Sequence, residues 1–127
     1  LVGVISEVGL NWSTLITVVD VDLEMGGLIA RTDGAAIIEG DFALMSQGKL
    51  KLNYLPEGAQ LLAGDTILTS GLRSGGTAPY PSGLVVGYVE QMRSDDSNMN
   101  DYAILTPAAA LDKLEQVFVI KSFDVVE

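Results

Sequence analysis

Lys49 to Tyr54 alternates without a break, with Leu50, Leu52 and Tyr54 at one set of positions and Lys49, Lys51 and Asn53 at the other. A period of two belongs to a pleated strand with one face toward a core, so this segment is expected as a half-buried β-strand. Short runs rich in Val, Ile and Thr recur on both sides of it. Val2 to Val8 and Ser13 to Val19 flank a polar turn with Gly9 and Asn11, which predicts a hairpin. Leu28 to Thr32 and Ala35 to Glu39 are separated by Asp33-Gly34, a pair that suits the positive dihedrals of a type I′ turn. Thr66 to Ser70, Leu84 to Met92, Tyr102 to Leu105 and Val117 to Val125 complete a series of about nine short strands. Gly87 inside one of them points to a bulge or a close backbone approach. The expected fold is all-β, either small antiparallel β-barrels or a sandwich. Thr106 as cap and Pro107 at a first helical position predict one short helical turn over Ala108 to Gln116, packed down by Leu111 and Leu114.

Length and composition limit what such a fold does. At 127 residues the chain holds one domain or two very small ones. The Gly, Pro and Ser density of Gly71 to Gly83 is that of a surface loop or inter-domain connection and places a soft boundary near Asp65 to Leu72. Seven basic side chains against seventeen acidic ones give a net charge of −10, the opposite of the basic footprint that nucleic acid or an anionic membrane surface requires. Cys and His are both absent. That removes zinc fingers, disulfides, thiol nucleophiles and every dyad that uses imidazole as base. No apolar run approaches the ~20 residues of a spanning helix, and the first residues carry neither a basic n-region nor the h-region of a signal peptide; Leu1 stands within a strand-like segment and reads as part of something longer.

The remaining chemical candidates are thin. Asp20, Asp22 and Glu24 alternate like the start of a calcium loop, but the sixth position lacks Gly and Arg31 stands where the bidentate Glu belongs. A solvated turn is the better reading, and the same holds for Asp95-Asp96 with Asn98, Asn100 and Asp101. Asp65-Thr66-Ile67 lacks the Gly of an aspartic-protease motif, and Ser70 and Ser74 sit in no nucleophile elbow. A Ser-Lys pair with Lys49 or Lys51 is the last hydrolytic option. Gly71 to Gly76 lacks the Gly-Lys-Ser/Thr ending of a phosphate loop. No catalytic, cofactor or metal residue is therefore assigned. Trp12, the only Trp, suits a ligand platform or a lid on one end of a barrel.

Several segments, in order along the chain, resemble the bacterial rod-shape-determining family MreC. They are Leu1-Val2-Gly3-Val4-Ile5-Ser6-Glu7-Val8 with Asn11-Trp12-Ser13; Gly64-Asp65-Thr66-Ile67-Leu68-Thr69-Ser70-Gly71-Leu72; Pro81-Ser82-Gly83-Leu84-Val85-Val86-Gly87-Tyr88-Val89, similar to a Pro-x-Gly-x-x-Val-Gly-x-Val pattern; and Pro107 through Ile120. The loop from Leu72 to Tyr80 is longer than the family spacing, and the acid of the Pro-Ala turn is Ala110 or is displaced to Asp112. The resemblance implies two small β domains, one inserted in the other, behind an N-terminal membrane anchor. On that reading residues 1–66 are the inserted unit and 67–127 the returning half of a split barrel.

The function the resemblance implies is a non-enzymatic scaffold of wall elongation on the outer face of the cytoplasmic membrane. Its implied partners are class B penicillin-binding proteins, MreD and the MreB machinery. An orphaned sheet edge adds self-association by strand exchange or edge pairing. Tyr80, braced by Pro79 and Pro81, with Leu84 close behind, is the expected partner contact. The alternative is a carbohydrate- or Ca²⁺-binding β module using Trp12 and the Asp95 loop.

Overall fold

The computed structural model describes residues 1–55, 61–71, 81–94 and 101–121. Eight strands, one helical turn and one 3₁₀ turn follow one another: β1 (Gly3–Val8), β2 (Ser13–Thr17), β3 (Glu24–Ile29), β4 (Gly34–Glu39), α1 (Phe42–Met45), β5 (Leu50–Asn53), β6 (Thr66–Thr69), β7 (Val85–Ser94), β8 (Asp101–Pro107) and the 3₁₀ turn Leu111–Lys113. Six of the strands close into an antiparallel barrel in the order β3-β4-β5-β8-β7-β6, and β1 and β2 form a separate two-stranded sheet. The barrel takes three strands from each side of residue 66, where the sequence reading placed a boundary.

Alternation fills the interior. Met25 and Ile29 of β3, Ile38 of β4, Leu50 and Leu52 of β5, Ile67 of β6 and Leu105 of β8 are all buried in one core cluster. The polar positions of β5 face outward. Lys49 donates to the Thr106 hydroxyl at 3.1 Å and pairs with Glu90 at 3.5 Å; Asn53 donates to Glu39 at 2.8 Å; Lys51 stands 4.6 Å from the Tyr102 ring centroid. Gly87 fulfils both expectations. β7 bulges on either side of it, between Ile67/Leu68 of its β6 pairing and between Val89/Gln91 of its β8 pairing, and a Cβ at Gly87 would strike the Thr106 carbonyl. The hairpin docks on the barrel through Val18, which is fully buried in the common core and donates its N–H to the Val2 carbonyl at 3.0 Å.

The structure corrects five local expectations. Tyr54 does not continue the face of Leu50 and Leu52: its φ of 54° turns the chain, and its side chain is exposed. The turn between β3 and β4 is not a two-residue type I′ turn but spans Ala30 to Asp33, with only Asp33 at positive φ, because the Ala30 N–H continues the β3–β6 ladder to the Thr66 carbonyl. β3 begins at Glu24 rather than Leu28. Gly26-Gly27 obscures it, yet Gly27 leaves the space that the Ile38 side chain fills. No helix begins at Thr106: it lies in β8, Pro107 pairs with Gly87, and the Ala108 N–H reaches the Val86 carbonyl, so only Leu111–Lys113 makes a turn, without a side-chain cap. Residues 117–121 form no strand and pair with none among the described residues. Their continuation through Val125 lies outside the described residues.

Candidate protein-docking groove

β6 ends at Thr69, whose buried side chain organises the next turn. Its hydroxyl donates to the Pro81 carbonyl at 2.5 Å and accepts the Leu84 N–H at 3.0 Å. Its backbone adds two more bonds, from Thr69 N–H to Leu84 O and from Gly83 N–H to Thr69 O, both at 2.8 Å. Four hydrogen bonds thus strap residues 81–84 to the barrel wall and bring Pro81 and Leu84 together. The third expected contact, Tyr80, lies outside the described residues.

Pro81 and Leu84 line a groove of about 740 Å³. Its lining also includes Val4 and Leu15 of the β1–β2 hairpin, Met25 of the barrel and the run Val117–Ile120. Among the described residues no Asp, Glu, Lys or Arg side chain lines it, although the chain carries 24 charged residues. The Thr69 hydroxyl is already engaged. The groove therefore offers burial of apolar surface, a means by which a polypeptide is recognised. Val117–Ile120 was expected as a closing strand because an apolar run reads as core; the structure makes it a groove wall, with Phe118 95% exposed.

The other candidates are placed elsewhere. Asp20 accepts the Asp22 N–H at 2.8 Å, closing a local turn, and no group of three or more acidic side chains among the described residues is arranged to hold a metal. Ser74 and the Asp95-Asp96 cluster lie outside the described residues. Trp12 is no barrel lid: it sits at the hairpin turn with its ring over Gly9. Asp65 forms no acid pair. Its carboxylate takes Arg31 Nε at 3.1 Å, Arg31 Nη2 at 3.0 Å and the Leu62 N–H at 2.9 Å. Arg31 chiefly, and then the Leu62 N–H, hold the Asp65 carboxyl below the usual carboxylate range, while the same pairing raises Arg31.

Comparison with known proteins places this arrangement. No curated protein sequence matches the chain significantly. Among solved structures, MreC from Pseudomonas aeruginosa superimposes with a TM-score of 0.73 at 22% identity, over 88% of this chain and 68% of that one. MreC from Listeria monocytogenes gives 0.71 at 24%, over 88% and 52%. A complex between the penicillin-binding protein PBP2 and MreC from Helicobacter pylori gives 0.59 at 21%, over 76% and 55%. The chain thus spans between about half and two-thirds of these solved chains, and at such identities the likeness shows the fold. The family model for the barrel core of the rod shape-determining protein MreC matches residues 1–121, nearly the whole sequence, and the chain belongs to that family.

Proposed function

We propose that the chain is a binding scaffold that maintains bacterial rod shape by holding wall-synthesis proteins outside the cytoplasmic membrane, and that it works without catalysis. The observation that carries this reading is the largely apolar groove, along which no acidic or basic side chain stands among the described residues. Lys49 and Lys51, the bases of a conceivable Ser-Lys pair, are turned instead to Glu90, Thr106 and Tyr102. The Helicobacter pylori complex pairs an MreC with PBP2, which supports a class B penicillin-binding protein as first partner. The proposed contact is Pro81 and Leu84 on the groove rim with the neighbouring Tyr80. MreD, the MreB machinery and a second copy of the chain are further proposed partners, the last through the outer edges of the β1–β2 sheet, which no other strand covers among the described residues.

Titration calorimetry with the extracytoplasmic domain of a class B penicillin-binding protein tests the reading. Phe118→Ser removes a groove side chain that the fold does not bury, so binding should weaken at least tenfold with the unfolding midpoint unchanged; Tyr80→Ala serves as the second contrast. Equal affinity for both variants and the parent chain would reject the groove as the docking site.

A further inference from the structure

The tip of the β1–β2 hairpin is apolar and projects from the molecule. Leu10 is fully exposed, Val8 72% and Trp12 52%, and every residue from Ser6 to Thr14 except Gly9 is exposed. The tip is also built rather than loose. The Gly9 N–H closes the turn onto the Trp12 carbonyl at 2.7 Å, and the indole lies against Gly9. Glu7 is the one charged side chain between Ser6 and Thr14; the rest are apolar or carry hydroxyl and amide groups.

We infer that this tip inserts into the interfacial region of a lipid bilayer, a contact separate from the protein-docking groove. Three arguments select lipid. The patch holds three large exposed side chains, too few for the roughly 800 Å² per partner of a specific protein interface, whereas a bilayer deforms around a small apolar tip. An indole with one face on Gly9 and the other in solvent is the amphipathic group that settles at headgroup depth, with Leu10 reaching beyond it. The charges match as well. A chain of net charge −10 is repelled by an anionic surface within about 8 Å at physiological salt, so a nearly uncharged tip suits a zwitterionic one.

Trp12 is the only tryptophan and reports directly. With phosphatidylcholine vesicles its emission should shift to the blue and the chain should pellet with the lipid. Vesicles half phosphatidylglycerol should retain severalfold less. Leu10→Asp, at a position with no packing to lose, should cut the pelleted fraction at least tenfold while the unfolding midpoint stays fixed. Unchanged emission with vesicles, or equal pelleting of Leu10→Asp and the parent, would overturn the inference. So would an emission shift produced by a penicillin-binding protein domain and not by vesicles, or stronger binding to anionic lipid. Failure here leaves the calorimetry of Phe118→Ser unaffected, so the two readings fall separately.

Discussion

The carboxylate of Asp65 accepts three hydrogen bonds at the start of β6, two from Arg31 in the β3–β4 turn and one from Leu62. Asp65→Asn keeps the shape but loses the charge, and should cost about 1–2 kcal/mol at neutral pH, read by urea unfolding. Because pairing depresses the folded pKa below the unfolded value of about 3.9, this contribution is present in full above that value. It drains away as pH falls through the folded pKa. Parent and variant should therefore converge in stability once the pH has fallen through the folded pKa. Sequence showed Asp65 as a near-match to a protease motif and as part of a family-like segment, with no sign of its partner. Its partner lies 34 positions away, and nothing in local pattern encodes which loop a barrel brings beside which strand. Lys49, Lys51 and Asn53 were legible as outward because alternation fixes a face without any knowledge of the neighbour.

At the scale of elements, β7 shows both what periodicity reveals and where it stops. Val86 and Val89, three apart, both point into the core because bulges shift the register on either side of Gly87. Gly87→Ala puts a methyl into the Thr106 carbonyl of the paired strand, where backbone cannot yield as a side chain tip would, and is expected to cost about 2 kcal/mol or more in denaturant unfolding. The helical turn α1 is held by Asp41, whose Oδ1 accepts the Ala43 and Leu44 N–H groups at 3.0 and 3.1 Å. Asp41→Ala should cost about 1 kcal/mol by the same measurement. Asp41 before Phe-Ala-Leu-Met was the signal for this turn, and the sequence reading passed over it. Thr106-Pro107 offered a similar signal and was read as a helix start. There a ladder bond from Ala108 to Val86 outweighs local capping preference.

For the whole molecule, closure decides where strength lies. Each barrel strand is hydrogen-bonded on both sides, while β1 and β2 have only each other, and a lone two-stranded ribbon is marginal in water. Amide hydrogen exchange should show Leu50–Asn53 and Asp101–Pro107 exchanging only through global unfolding, with Glu7 and Val8 at the exposed end of β1 opening at least a hundredfold more often. The all-β class was readable from short β-branched segments and turn residues. The single ring was not, since strands on either side of residue 66 look alike in one dimension and only pairing shows that they share a core. The groove was half readable: Pro81 and Leu84 stood out, whereas its Val117–Ile120 wall looked like interior.

The seam between β3 and β6 joins segments some forty residues apart through three residue pairs, Gly27 with Thr69 through Ile29 with Ile67, and the Arg31–Asp65 bridge sits directly beside its end. That bridge works as the clasp of a bracelet. Acid that unfastens it loosens the circle at one defined link, so within the ring of six strands the first gap at low pH should open between those two segments.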